Sequence, residues 1–183
     1  LRDYLLRGWN SIDPFYYTCS RLDYVIKEKT EDNKSLFRVR LTRYQGHEVT
    51  LHDGTVIKKH DLLLKIHLHN VRMLTDLQAL NQSKMKKALF IYYNVKRELP
   101  ILAHYVKKHQ HSHKIKGIIG ITSLYKGANR LGFEAVPIRN VCYRTYKKLA
   151  FSPIYFIANT SSKDPVYLFM SKEALMNKYY STI

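Results

Sequence analysis

The stretch "LFRVRLTRY" alternates without a break: Phe37, Val39 and Leu41 fall on one side of an extended backbone, and Arg38, Arg40 and Thr42 on the other. That period of two predicts a strand with an apolar face and a basic face. Gly46 marks a turn, "HEVTLH" reads as a short strand, and Asp53-Gly54 is a two-residue hairpin signal. "TVIKK" and the longer "DLLLKIHLH" continue the series, so residues 36–69 are expected to form a four-stranded antiparallel meander. In its last strand Leu62, Leu64, Ile66 and Leu68 share the core face. Asp61, Lys65, His67 and His69 share the other, with Leu63 among them.

From Asn70 the period lengthens. Val71, Leu74, Leu77 and Leu80 recur at helical spacing, and a second pattern runs through Met85, Leu89, Tyr92, Val95, Leu99, Leu102 and Val106. Pro100 should kink or restart that helix, because it removes a backbone donor. "KKHQHSHK" reads as an exit loop and "IKGIIGIT" as a buried strand. "SLYKGANRLG" reads as a helix, with Ser123 near its start and Gly132 just past its end. "FEAVPI" is extended, and "NVCYRTYKKLAFSPIYFIAN" fits helix or strand, with Pro153 dividing it. "VYLFM" is a strand, and Ser171 is placed to cap a last helix, "KEALMNKYY".

At the other end, Leu1, Tyr4, Leu5 and Trp9 predict a short amphipathic helix, interrupted at Asp13-Pro14 and resumed near Phe15 to Arg21. The expected architecture is therefore a single α+β domain over 1–183, a mainly antiparallel meander sheet packed by helices. Its parts are a helical segment at 1–21, the meander at 36–69, a helical segment at 70–108 and a mixed α/β part at 115–183.

Composition adds a direction. The chain carries 31 Lys and Arg against 14 Asp and Glu, a formal charge of +17. From Leu99 onward thirteen basic residues face only Glu134, Asp164 and Glu173. Such a field favours polyanions: nucleic acid, anionic lipid or an acidic wall polymer. Fifteen tyrosines suit interfaces as well as core edges. Cys19 and Cys142 have no metal spacing and read as free, buried thiols. No signal-peptide core and no run near ~18 apolar residues is present, which points to a cytoplasmic protein. The first residue is Leu rather than Met, so a preceding segment is left open.

Chemistry has several candidate locations. His67 and His69 on one strand face, with Asn70 at the strand-to-helix junction, could grip a metal or serve a reaction. A metal needs a third ligand, and the nearest cross-strand groups are Glu48, His52 and Asp61. Asn70 also fits a plain N-cap, and both histidines fit a polar sheet face. His104, His109, His111 and His113 stand among lysines, a poor setting for a cation. Thr122 and Ser123 at a strand-to-helix junction, followed by Lys126 and Arg130, form a candidate anion site. Arg38 and Arg40 with Arg43 and Tyr44 make a basic, aromatic surface compatible with single-stranded nucleic acid. No Ser-His-Asp, Cys-His or paired-carboxylate arrangement can be assembled, and no cofactor motif is found.

Four blocks together, "DPFYYTCSRLDYV", "LFRVRLTRYQG", "DGTVIKKHDLLLKIHLHN" and "GITSLYKGANRLGFE", resemble the YkoP-like proteins of Firmicutes across nearly the whole chain. The resemblance implies a stand-alone domain whose relatives also sit beside polysaccharide deacetylase domains. It therefore implies a non-catalytic accessory or binding module for an anionic or glycan polymer, with a polysaccharide deacetylase as partner. Two alternatives stay open. One is a small transferase or hydrolase built on His67 and His69, since "ANRLGFE" at 128–134 is similar to a passage in acetyltransferases of the GNAT superfamily. The other is a nucleic-acid-binding protein.

Overall fold

The computed structural model describes residues 23–26, 34–68, 84–158 and 164–180. Eight strands are present there: β1 (Asp23–Ile26), β2 (Lys34–Arg43), β3 (Val49–Thr50), β4 (Val56–Ile57), β5 (Leu62–Leu68), β6 (Ile115–Thr122), β7 (Glu134–Pro137) and β8 (Val166–Ser171). Helix α1 spans Lys84–Lys108, α2 spans Val141–Ala158, and α3 is a single turn at Lys172–Leu175, continued by a wider π turn over Met176–Tyr180.

Six strands form one sheet in the order β1-β2-β5-β6-β8-β7. Every neighbouring pair is antiparallel except β5–β6, which is parallel and is joined through α1. A parallel pair needs such a long crossover. The expected meander is corrected here. β3 and β4 leave the main sheet and form their own two-stranded ribbon, so β2 pairs directly with β5. Asp53-Gly54 does turn that ribbon, with Gly54 at φ +84° and Asp53 Oδ1 accepting the Thr55 N–H.

The alternation of β2 and β5 divides the sheet into two differently covered faces. Phe37, Val39, Leu41, Leu64, Ile66 and Leu68 point to α1, which answers with Tyr92, Val95, Leu99, Leu102, Ala103 and Val106. α1 runs through Pro100 as one continuous helix, and α2 likewise runs through Pro153. On the opposite face the ribbon lays Leu51 and Ile57 over Leu63, Ile119, Phe169 and Tyr44. Tyr44 is 4% exposed and meets Tyr167 and Phe169 edge-on. This second apolar cluster stops at Leu63, and beyond it the same face turns cationic.

Three more expectations change. The helix predicted from Ser123 to Gly132 is a turn followed by a short 3-10 helix at Ala128–Leu131, because Gly127 takes φ +84° in the middle of the segment. Cys142 is exposed on α2 rather than buried. The N-terminal helix, Cys19 and the helix expected after Asn70 lie outside the described residues. Ser171 does cap α3, its Oγ accepting the Ala174 N–H at 2.9 Å while its hydroxyl donates to Asp53 Oδ2.

Candidate anion site on the sheet

The β2–β5 register sets side chains directly opposite one another: Thr42 with Leu63, Arg40 with Lys65, and Arg38 with His67. Leu63, Lys65 and His67 are successive residues of one face, about 7 Å apart along the strand. Leu63 is sealed beneath the ribbon, and the two pairs beyond it bring together four basic side chains. Arg38 is 4% exposed, while Arg40, Lys65 and His67 are partly buried. On the other side of β5, Lys65 is in register with Ile119, which presents hydrocarbon to it. Lys147 of α2 adds a fifth basic side chain, close enough to act on Lys65, Arg40 and His67.

The electrostatic consequences follow from this crowding. Burial, then Lys147 and Arg40, lower the Lys65 ammonium to a pKa of about 8. Burial first, and then Lys65, Arg40, Lys147 and Arg38, lower His67 to about 3. His67 is thus a neutral imidazole at physiological pH, and its Nε2 has no hydrogen-bond partner among the described residues. Lys147 is pulled below the ordinary lysine range by burial and by Arg40. Among the described residues no carboxylate acts on Lys65, His67 or Lys147. Like charges directly opposite in a ladder oppose folding, and a buried polar atom without a partner adds to that cost. An oxyanion entering the cluster relieves both.

Lys147 has a second setting. Its ammonium lies 5.4 Å from the ring centroids of both Tyr143 and Tyr146, within cation–π range. Tyr146 is 61% exposed, so an aromatic ring stands open beside the cationic cluster.

The other residues singled out from sequence fall elsewhere. Arg43 lies on the α1 side of the β2 alternation, is exposed and donates to the His60 carbonyl at 3.3 Å. Tyr44 belongs to the second apolar cluster, so neither joins Arg38 and Arg40 in one surface. Thr122 follows the face of Gly120, where a Cβ would meet Ile66 and Leu168, which is the face opposite His67. Its Oγ1 accepts the Leu124 N–H, Ser123 is buried, and Lys126 and Arg130 are exposed around the 3-10 turn. The structure therefore does not bring His67 and the Thr122-Ser123 turn into one pocket. His69 and Asn70 lie outside the described residues.

The groups considered as third metal ligands are engaged elsewhere or stand apart. His52 faces Glu134 at 3.2 Å, and Asp61 accepts from Lys116 Nζ at 2.9 Å and from the Lys58 N–H. No set of three or more His, Cys, Asp or Glu suited to a metal occurs among the described residues. His104 stacks on Tyr180, and His109 Nδ1 accepts the His111 N–H, so these histidines have local packing roles. Among the described residues no helix is long and apolar enough to cross a membrane.

Sequence reasoning placed Lys65 on the face of His67 but did not single it out, and it missed Lys147. The alternation that grouped Lys65 with His67 was the available signal. The segment holding Lys147 fitted helix or strand equally, and nothing local tied it to β5.

Comparison with known proteins gives the family. The YkoP domain family matches residues 2–179, and the chain belongs to it. It is 44% identical over 176 residues to the uncharacterized protein YkoP of Bacillus subtilis (strain 168), covering 93% of each chain. No solved structure matches it.

Proposed function

We propose that this YkoP-family protein is a non-catalytic binding module that recognises an anionic group on a glycan polymer, in connection with polysaccharide deacetylation. One observation carries the reading: Lys65, His67 and Lys147 converge beside Arg38 and Arg40 on one sheet face, and among the described residues no carboxylate acts on any of the three. The general positive charge steers anions to the molecule, and this cluster gives them a defined seat. The exposed ring of Tyr146 at its edge suits a sugar. A neutral His67 wedged among cations is a weak base, which speaks for binding over acid–base chemistry. The link to deacetylation comes from the company that similar domains keep, and it directs the choice of polymer to be tested.

The test is retention of anionic glycans on immobilised protein at low and moderate salt. Retention at low salt, weakened by salt and lost in Lys147→Met, is expected. Equal retention by wild type and Lys147→Met would overturn the reading.

A further inference from the structure

We infer that the cationic cluster of Lys65 and Lys147 takes a phosphomonoester carried on a sugar, the phosphate meeting both ammonium groups and His67 and the sugar lying on Tyr146. This deepens the anion-binding reading above and rests on it.

The first argument is charge and shape. Lys65 and His67 share one face two residues apart, and Lys147 reaches the same place from α2. Such a cluster concentrates charge at a point. A polymer recognised only by its repeated single charges asks instead for cations spaced along a groove. At that point stand two ammonium groups, six N–H donors if both are charged, and an imidazole nitrogen with no partner among the described residues. A carboxylate offers one charge and two oxygens. A phosphomonoester near neutral pH offers between about 1.5 and 2 charges and three terminal oxygens, which fits two cations and a further donor. His67 is neutral, so one ring nitrogen bears a proton and can donate it to an oxyanion without adding repulsion.

The second argument is the aromatic neighbour. Lys147 lies 5.4 Å from the Tyr146 centroid and acts electrostatically on Lys65, so it joins the ring to the cationic cluster. Tyr143 and Tyr146 are tilted by 32° with centroids 6.5 Å apart, and Tyr146 is the exposed member. A ring of that exposure gives the C–H face of a pyranose an apolar plate while its hydroxyl stays wet. A phosphate held by Lys147 places the sugar that carries it within reach of this plate.

The experiment is calorimetric titration of the intact chain with inorganic phosphate, a hexose 6-phosphate, the free hexose and acetate. Phosphate is expected to bind and acetate to fail, with the hexose phosphate about tenfold tighter than phosphate. Tyr146→Ala should erase that gain and leave phosphate binding unchanged. Lys147→Met should abolish binding of both. Tyr146 is exposed, and an unchanged circular dichroism spectrum establishes that its variant folds. Acetate binding as well as phosphate, or a hexose phosphate gain untouched by Tyr146→Ala, would sink the assignment. Failure of phosphate and hexose phosphate, with glycan retention still dependent on Lys147, would also remove it and leave the broader reading standing. Glycan retention indifferent to Lys147 would remove both.

Discussion

Arg40 and Lys65 stand directly opposite each other across the β2–β5 ladder, two cations at a register position where folding alone favours an opposite or apolar pair. One step along, Arg38 faces His67 in the same way. The neighbouring position, Thr42 with Leu63, is covered by the β3–β4 ribbon and is ordinary core. Local preference is broken just where the ribbon ends, and such departures gather at functional sites.

Removing one of these charges should therefore stabilise the fold. Lys65→Met keeps the length of the stem and deletes the ammonium that burial, Lys147 and Arg40 disfavour. An increase of about 1–2 kcal/mol in unfolding free energy at neutral pH and low salt is expected, less than the full shift implies because the site is partly open. Urea denaturation of the two proteins measures it, and a loss of stability would contradict this account of the cluster.

His67 should not titrate near neutrality. Its folded pKa of about 3 lies below the ordinary 6.5, so the folded state resists the proton that the unfolded chain accepts. The associated stability is fully present above about pH 6.5 and falls as pH drops from there toward 3. Imidazole NMR signals followed from pH 8 to 5 should show His67 static. A His67 midpoint between pH 5 and 7 would refute this.

Ser171 joins two parts of the protein through one hydroxyl. It caps α3 by accepting the Ala174 N–H and donates to Asp53 in the ribbon turn. Ser171→Ala should cost about 1–2 kcal/mol. A double-mutant cycle with Asp53→Ala in thermal unfolding should show a nonzero coupling, whereas strictly additive losses would mean that the Asp53 contact contributes nothing.

Close packing between β6 and β8 makes Gly117 intolerant of a side chain. A Cβ there would lie 2.6 Å from the Met170 carbonyl oxygen, which is backbone and cannot turn aside. Gly117→Ala is expected to destabilise by about 2 kcal/mol or more. Gly54→Ala meets open space and costs only what its φ of +84° imposes, so thermal unfolding should rank Gly117→Ala well below it.

Arg43 provides a control for the site. It lies on the α1 side of β2 and donates to the His60 carbonyl, so Arg43→Gln should leave glycan retention unchanged. A loss equal to that of Lys147→Met would mean that diffuse positive charge, rather than the cluster, does the binding.

The faces of β2 and β5 were legible because alternation is local: Ile66 and Leu68 pack on the α1 core, with Lys65 and His67 opposite. The capping role of Ser171 and the Asp53-Gly54 turn were legible for the same reason. Which strand pairs with which was not. "HEVTLH" and "TVIKK" carry strand signals of their own, and nothing local says that they form a separate ribbon and leave β2 to meet β5. Sequence alternation alone consequently runs the basic patch along one strand, through Arg43 and Tyr44. The cluster instead runs across strands, with Lys147 brought in by a helix whose sequence fitted strand as well. Glycine at 127 turned an expected helix into a turn, so the candidate anion site at Thr122 and Ser123 lost the helix it depended on.

The most direct test of the central claim is thermal unfolding of wild type and Lys65→Met, each with and without a saturating anionic glycan. A ligand that binds only the folded state raises the midpoint through that binding. The account predicts that Lys65→Met unfolds at higher temperature than wild type without ligand, and that the glycan raises the wild-type midpoint and leaves the variant's where it is. Equal upward shifts in both proteins would contradict it.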